Sequence, residues 1–373
     1  MQPPEGSADS AVRSLFKVND SFQLPDGETE YRVAYAQGSK KNFEKLTEAL
    51  EPQGLIPWLA GTKEDCVLLV RKKQPIPPSK SRIPLIVALL TFASVVLFAI
   101  FEQEVFAAFA PAVPWYAVFF EFGACVWIIL LFHELGHRIV SRRAKSVPPR
   151  PYIIPGVPAI TFFLPSLGII SSQKEPTVNR ERLFDIMAAG PLFALAMTIL
   201  TYVIGGLTSV QSTLSTQGTQ VVNSYISVVQ VNPSALQLAI GTILSPFTAP
   251  SSAGLLRISP IADAATFGFP LTFITLLPMA FFDGGYLLSA VFGSVSTRAS
   301  TYVSVLVLIL IDTPYYWALA IVVLLMAARP FDIQTRDEVS GISNGRRALY
   351  VALIALAILS VPVPQNLATF PLG

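Results

Sequence analysis

The stretch WYAVFFEFGACVWIILLFHELGH, residues 115–137, leads a long apolar run into a short polar motif. The motif contains the only two histidines of the 373-residue chain, His133 and His137. Histidines at positions i and i+4 stand on the same face of a helix, so both imidazoles can reach one metal ion. With Glu134 beside the first histidine, they form the HExxH pattern in which the histidines bind zinc and the glutamate acts as a base. The stretch therefore predicts a helical zinc site in apolar surroundings.

A chance occurrence of this pattern is improbable here. Ionisable side chains inside a bilayer cost about 2.5–3.5 kcal/mol each on insertion scales, and they persist mainly for function. A purely structural origin would require two unrelated histidines to fall four residues apart by accident. We therefore interpret the pair as metal ligands.

Composition predicts an α-helical polytopic membrane protein with about seven spans. Hydrophobic residues make up 52% of the chain and charged residues 13%, and several apolar runs approach the ~20 residues that cross a bilayer. The predicted spans are 83–101, 115–140, 184–207, 262–283, 299–311, 315–328 and 348–363. Residues 236–256 are apolar enough to lie in the membrane or dip into it, and an eighth span there would change the topology.

Charge predicts the orientation and excludes one class of partner. Between Ile83 and the C-terminus there are fourteen Lys and Arg residues. Seven crossings with a cytoplasmic N-terminus place all of them except Arg257 on the cytoplasmic side, with the zinc motif near that face. The net charge of +2 is spread over short clusters, so we expect lipid and protein partners and no nucleic acid. No basic segment followed by an apolar run precedes the first span, which we expect to direct insertion itself.

A domain boundary is predicted near residue 80, where charge density falls after a proline-rich stretch. It separates residues 1–80, a soluble N-terminal tail and small α+β module, from residues 81–373, the membrane-embedded part. Residues 1–25 are expected to be a flexible tail. Helical apolar spacing over residues 42–50 and a strand at residues 66–70 mark the small module, and the sequence identifies no particular ligand for it.

The loop over residues 146–181 predicts a short re-entrant or interfacial β-loop. Its apolar segments at residues 152–154, 159–163 and 168–170 resemble short strands. Such a loop can re-enter the membrane where its backbone is paired with protein or lines a wet cavity. An edge strand there could pair with an unwound substrate by β-augmentation. A hairpin resting on the membrane surface explains the pattern equally well.

A catalytic zinc needs a third protein ligand, which cannot be histidine in this chain. Cys66 and Cys125 form no CxxC pair, so a carboxylate is expected. The carboxylates in or near predicted spans are Glu121, Asp185, Asp263, Asp283 and Asp312. Asp283 is distinguished by two following glycines, which allow close backbone approach, and by the preceding Pro278, which frees backbone groups. Glu121 lies about 18 Å from His133 along the same helix, too far to bind the same ion.

These motifs resemble those of the site-2 proteases, which are intramembrane zinc metalloproteases. The family pattern is an apolar residue before HExxH in one span and Asn-x-x-Pro followed by Asp-Gly in a later span. Here the motifs are Phe132–His137 and Thr275–Gly285. The similarity extends to residues 188–191, and the sequence around residues 151–155 and 166–168 is most similar to the plant chloroplast ethylene-dependent gravitropism-deficient and yellow-green proteins and their prokaryotic relatives.

The resemblance implies a zinc metalloendopeptidase that performs regulated intramembrane proteolysis. It implies Zn²⁺ on His133, His137 and Asp283, with Glu134 as the catalytic base. It also implies substrate contacts at Thr275 and Gly168, although Thr275 replaces the family asparagine, and a threonine hydroxyl reaches less far. The implied partners are transmembrane protein substrates and the lipid bilayer, while the oligomeric state stays open.

Two other functions remain compatible with parts of the sequence. One is a polytopic transporter or non-catalytic scaffold that binds zinc without hydrolysis, which the many spans and Thr275 favour. The other is a membrane zinc protease of the prenyl-protein type, whose third ligand is a downstream glutamate. The downstream candidates Glu175, Glu181 and Glu338 all lie in charged loops, which disfavours the second alternative.

Overall fold

The computed structural model describes residues 5–25, 28–74, 81–109, 113–157, 161, 164–213, 231–248, 255–293, 295–311, 314–327 and 335–364. Within these ranges the chain is mostly helical and forms 11 α-helices. Three of them are long and apolar enough to cross a bilayer by length and composition, at Ile83–Glu104, Trp115–Arg143 and Arg180–Leu207. The described residues thus bear out a helical, membrane-associated protein.

The N-terminal part of the chain is an α+β unit. Its elements are α1 (Glu5–Leu15), β1 (Val18–Gln23), β2 (Thr29–Val33), α2 (Ser39–Leu50), β3 (Leu55–Gly61) and β4 (Cys66–Lys72). The expected helix over residues 42–50 and strand over residues 66–70 are confirmed. The flexible tail expected over residues 1–25 is wrong from Glu5 onward, because α1 and β1 form there and Val12 is fully buried and Phe16 nearly so. Apolar residues recur three and four positions apart along α1, which is the helical period.

The central elements include the histidine motif and the predicted β-loop. They are α3 (Ile83–Phe109), α4 (Trp115–Arg143), β5 (Arg150–Pro155), β6 (Ser166–Ser172), β7 (Thr177–Asn179) and α5 (Arg180–Leu207). Strands β5 and β6 pair antiparallel, with Tyr152 opposite Ile170. This hairpin confirms the strands expected near residues 152–154 and 168–170, while the segment 159–163 lies outside the described residues apart from Thr161.

The remaining elements alternate short strands with apolar helices. They are β8 (Val210–Thr213), β9 (Val231–Asn232), α6 (Ala235–Leu244), β10 (Leu255–Ile258), α7 (Pro260–Leu276), α8 (Asp283–Phe292), α9 (Val295–Leu310), α10 (Pro314–Ala327), β11 (Thr335–Asp337), α11 (Asn344–Ser360) and β12 (Val363–Pro364). With ten residues, α6 is about 15 Å long, too short to cross a bilayer alone.

One predicted span is interrupted. The sequence predicts a continuous span over residues 262–283, but α7 ends at Leu276 and Asp283 begins the next helix. Leu277 precedes Pro278 and adopts an extended ψ of 135°. The proline ring disfavours helical geometry at the residue before it, so the helix ends there. Asp283 therefore lies at a helix start, not late in a continuous span.

The N-terminal sheet continues into the rest of the molecule. Its strand order is β1-β2-β4-β3-β11-β7, and β11 pairs in parallel with both β3 and β7. Asp337 of β11 lies opposite Leu59 on one side and Asn179 on the other. Asn179 then caps α5, because its side chain accepts a hydrogen bond from the Arg182 N–H. A continuous sheet thus spans the domain boundary predicted near residue 80, which itself stays a prediction.

Helix α5 packs closely against α7 through small residues. A Cβ atom added at Gly205 would collide with the backbone of Ala262, and one added at Gly268 would collide with the side chain of Thr198. Small residues at such crossings let two helix backbones approach and gain dispersion contacts. The α5–α7 crossing is therefore sensitive to the addition of a single methyl group.

We predict that Gly205→Ala destabilises the protein and that Gly206→Ala does not. The Gly205 methyl would meet backbone atoms, whereas the Gly206 methyl would meet only a Leu244 side-chain atom at 3.3 Å. Overpacking costs about 1–3 kcal/mol, while Gly→Ala in an unhindered helix gains up to about 1 kcal/mol. Thermal unfolding of both variants in detergent measures the difference. Equal unfolding temperatures for the two variants would contradict the packing.

Asp337 is fully buried in β11. Burial raises the pKa of this carboxyl above its ordinary value of 3.8, although the backbone N–H groups of Val339 and Ser340 donate hydrogen bonds to Oδ1. The folded protein therefore binds this proton more tightly than the unfolded chain. The corresponding stability is present below pH 3.8 and is lost as the pH rises through the folded-state pKa.

The Asp337→Asn variant lacks this titration. We expect the fall in unfolding temperature between pH 4 and pH 7 to be smaller in the variant than in the wild type, because the variant buries no charge at neutral pH. Thermal unfolding of both proteins across this range measures it. Parallel pH profiles would show that Asp337 makes no such contribution.

Candidate metal centre

The two histidines lie together on α4, as the i, i+4 spacing predicts. Both side chains are fully buried, and the ring centroids are 4.9 Å apart. One helical turn separates the two residues, so their rings project from one face. The pair forms half of a potential coordination sphere.

Asp283 completes a group of three potential ligands. Its Oδ2 lies 2.9 Å from Nε2 of His133, and its Oδ1 lies 3.4 Å from Nε2 of His137. One ligand atom from each residue lies within 4.8 Å of the others. Ligands of a tetrahedral zinc at ~2.0–2.1 Å are separated from each other by roughly 3.3 Å. The spacing of the three side chains therefore suits a single small metal ion.

The burial of these atoms is consistent with metal binding. Apart from their mutual contacts, Nε2 of His133, Nε2 of His137 and Oδ2 of Asp283 are buried without a hydrogen-bond partner among the described residues. Buried polar atoms are normally paired, and each exception requires an explanation. Two imidazoles and one carboxylate form a typical catalytic zinc site, with a fourth position left for water or substrate. The donor set thus fits zinc.

The packing of α5 fixes the orientation of His137. Its Nδ1 lies 2.8 Å from the carbonyl oxygen of Ile186. A carbonyl only accepts, so Nδ1 carries the proton and Nε2 keeps the lone pair that a metal needs. A Cβ atom added at Gly190 would collide with the His137 ring, and one added at Gly136 would collide with the Ala189 carbonyl. The two glycines therefore let α4 and α5 meet at the ligand.

A tight turn between α7 and α8 presents Asp283. Phe281 has a φ of 69°, in the left-handed region that a bulky residue rarely adopts. A Cβ atom at Gly284 would collide with the carbonyls of Leu276 and Leu277, and one at Gly285 with the Met279 carbonyl. The close backbone approach expected for these two glycines is confirmed. The turn bends the chain so that the first residue of α8 faces the histidines.

Ser171 is a site residue that sequence reasoning missed. Its hydroxyl donates a 2.7 Å hydrogen bond to Oδ1 of Asp283, and its N–H donates to the Phe281 carbonyl at 3.0 Å. The available signal was weak, because the residue follows the predicted strand segment 168–170 and belongs to no motif of its own. Its polar character alone did not distinguish it, because β6 also contains Ser166 and Ser172.

Glu134 lies one residue after His133 and has two differently placed oxygens. Arg138 donates from Nε to Oε1 at 2.6 Å. Oε2 is buried without a hydrogen-bond partner among the described residues. One oxygen is thus held by a cation on the same helix, and the other remains able to accept a proton.

The two residues expected to contact substrate occupy distinct positions. The Thr275 hydroxyl is buried and donates to the Leu271 carbonyl of its own helix at 2.9 Å. Gly168 has a φ of 117°, and an added Cβ would lie 3.0 Å from Ile274 and 3.2 Å from Phe282. The strand β6 must therefore have glycine at this position to pack against α7 and the turn. Substrate contact at either residue stays a prediction.

Among the described residues, the other carboxylates considered as ligands do not join the histidines. Asp185 is paired with Arg346 at 2.6 Å, and Asp312 lies outside the described residues. In the described part of the chain, the group formed by His133, His137 and Asp283 is the one cluster of three or more His, Cys, Asp or Glu residues suited to a metal. Both cysteines are free.

Comparisons with known proteins identify several relatives of this chain. A probable chloroplastic zinc metalloprotease of Arabidopsis thaliana, EGY1, is 28% identical over 244 residues, which cover 64% of this chain and 42% of the relative. EGY1 of Oryza sativa subsp. japonica is 26% identical over 65% of this chain and 40% of its own length. The Arabidopsis EGY2 is 24% identical over 53% of this chain and 34% of its own length. The chain thus spans about two fifths or less of these relatives.

No solved structure matches the chain. The pattern of peptidase family M50 matches residues 121–311, just over half of the chain, and this range includes the histidine motif, β6 and Asp283. The resemblance to the site-2 proteases is therefore confirmed, and the chain belongs to peptidase family M50.

Proposed function

We propose that the protein is an intramembrane zinc metalloprotease that hydrolyses peptide bonds within or next to transmembrane helices of its substrates. The observation that carries this proposal is the convergence of His133, His137 and Asp283 in a fully buried group. Glu134 stands beside the first ligand, and its Oε2 has no hydrogen-bond partner among the described residues. Family membership supports peptidase chemistry. A merely structural zinc site would be closed by a fourth protein ligand.

The reaction assigned to this site is metal-assisted hydrolysis. A bound zinc ion supplies Lewis acidity, polarising a carbonyl and bringing the pKa of a water molecule to ~7. Glu134 accepts the proton of the attacking water on Oε2 and later donates it to the leaving amide nitrogen. Arg138 holds the other carboxylate oxygen and so restricts the rotation of Glu134.

We further infer that an unwound substrate segment pairs with the edge of β6 that is not bonded to β5. The free edge of the other strand, β5, is covered by α3, because the Thr91 hydroxyl of α3 donates to the Ile153 carbonyl at 2.9 Å. The outward edge of β6 faces the turn before Asp283, since the Ser171 N–H bonds to Phe281 there. Residues two apart in a strand point their backbone groups to the same side, so Ile169 faces this edge as Ser171 does. Within the described chain, Ile169 makes no backbone hydrogen bond there.

This pairing determines which substrates suit the enzyme. A helix hides its carbonyls in internal hydrogen bonds, so cleavage requires local unwinding. An extended segment then gains backbone bonds at the strand edge and brings its carbonyls toward the metal. We propose substrates whose transmembrane segments contain Gly, Pro or Asn, which weaken helices.

We propose a multi-pass topology with seven crossings and a cytoplasmic N-terminus. In this arrangement α3, α4, α5, α9, α10 and α11 each cross once, and the interrupted pair α7 and α8 forms one crossing around the turn. The apolar helices and the distribution of Lys and Arg support this topology. The metal site then lies within the bilayer toward its cytoplasmic face.

The transporter or scaffold alternative has less support. A transport path needs several ligating positions along the membrane, and the described residues contain a single candidate metal group. A scaffold has no need of Glu134 beside the ligands. Against the prenyl-protein alternative, the acidic residue that meets the histidines is Asp283, not a downstream glutamate.

We predict that Glu134→Gln lowers peptide cleavage by about 10²–10⁴-fold, because the amide cannot take the proton from water. Zinc content should remain that of the wild type, since Glu134 is not a ligand. The measurement is cleavage of a purified transmembrane substrate in detergent or liposomes, with zinc determined on the same sample. Glu121→Gln, which makes the same change on an exposed part of α4, is the matched control. Undiminished cleavage by Glu134→Gln would refute the mechanism.

We predict that His133→Ala and Asp283→Asn both lose bound zinc, because each removes one of three protein ligands. Asp185→Asn is the control, since this carboxylate pairs with Arg346 and is not part of the group formed by the histidines and Asp283. Elemental analysis of dialysed protein measures the zinc content. Loss of zinc in His133→Ala with full retention in Asp283→Asn would remove Asp283 from the ligand set.

A further inference from the structure

We propose that Ser171 is a positioning residue for the metal centre, holding Asp283 in its ligating orientation through the Ser171 hydroxyl. This inference rests on the proposed zinc site. Ser171 is 2% exposed and Asp283 is fully buried, so water does not compete for their 2.7 Å hydrogen bond. The serine belongs to β6, 112 residues before the ligand, and therefore ties the hairpin directly to the metal centre.

The two carboxylate oxygens of Asp283 have different partners. Oδ1 accepts the Ser171 hydroxyl, whereas Oδ2 lies 2.9 Å from Nε2 of His133 and makes no hydrogen bond within the described chain. A donor on Oδ1 restricts rotation of the carboxylate and directs Oδ2 at the histidine. Partners of this kind orient metal-bound carboxylates, and their loss typically weakens metal binding 10–100-fold.

Ser171 has a second contact, which is made by its backbone. A mutation can therefore remove the hydroxyl contact alone. The backbone N–H of Ser171 bonds to the carbonyl of Phe281, the residue with positive φ in the turn before Asp283. Side-chain substitutions leave this backbone bond available. The turn is also held by the Thr301 hydroxyl, which accepts a hydrogen bond from the Ala280 N–H at 2.9 Å. Removing the Ser171 hydroxyl thus changes the carboxylate contact and leaves these turn contacts in place.

Ser166 provides a matched control in the same strand. It is fully buried, and its hydroxyl donates to the Ile154 carbonyl at 2.8 Å within the hairpin. Ser166→Ala therefore removes one buried hydroxyl from β6, as Ser171→Ala does, without touching a ligand. Any effect that comes from weakening the hairpin should appear in both variants.

The experiment measures zinc affinity of the full-length protein in detergent, by competition with a chromophoric chelator. We expect Ser171→Ala to bind zinc about 10–100-fold more weakly than the wild type, and Ser166→Ala to bind within twofold of it. The visible absorption bands of the Co²⁺-substituted protein give a second readout. They should shift in Ser171→Ala, because carboxylate orientation changes, and should stay unchanged in Ser166→Ala.

An isosteric pair protects the test against a folding defect in the alanine variant. Threonine and valine have the same shape, and only threonine carries a hydroxyl, so Ser171→Thr should bind zinc more tightly than Ser171→Val by the same 10–100-fold. Equal affinities in this pair, or equal losses in Ser171→Ala and Ser166→Ala, would overturn the positioning role. If the wild type and His133→Ala bound zinc equally, the proposed zinc site would be wrong, and Ser171 could have no positioning role in it.

Discussion

The structure depends on three polar side chains that are buried together in an apolar helical bundle. Burying such groups without partners costs several kcal/mol each, so their survival in this environment requires compensation. His133, His137 and Asp283 offer one another only two close contacts, at 2.9 and 3.4 Å. A divalent cation at their centre would satisfy all three at once. The helix breaks and glycine contacts around the site make physical sense as means of bringing these donors together.

Close backbone approach is the means by which the site is assembled. Gly136 and Gly190 allow α4 and α5 to meet at His137, and Gly284 and Gly285 allow α8 to begin directly beneath the end of α7. The turn before Asp283 adopts an unfavourable conformation at Phe281. Such strain persists where surrounding contacts determine it, and it concentrates at functional sites. The hairpin supplies one of those contacts through Ser171, so the β-loop belongs to the site rather than lying beside it.

Local patterns in the sequence predicted the parts of the structure that depend on neighbouring residues. The histidine pair, the helices and the β5–β6 strands follow from spacing and apolar periodicity. Contacts between distant segments were not predictable in this way. Ser171 meets Asp283 across 112 residues, and β11 joins the N-terminal sheet from the far end of the chain. The burial of α1 was missed because its polar composition obscured an apolar stripe. The end of α7 was missed because a single proline changes the average hydropathy of a long apolar run very little.

X-ray absorption at the zinc edge of the purified full-length protein tests the central claim most directly. Two imidazoles and a carboxylate predict only nitrogen and oxygen neighbours, at ~2.0–2.2 Å, with the multiple scattering that histidine rings produce. Sulfur neighbours at ~2.3 Å, or zinc without histidine scattering, would contradict a centre formed by His133, His137 and Asp283.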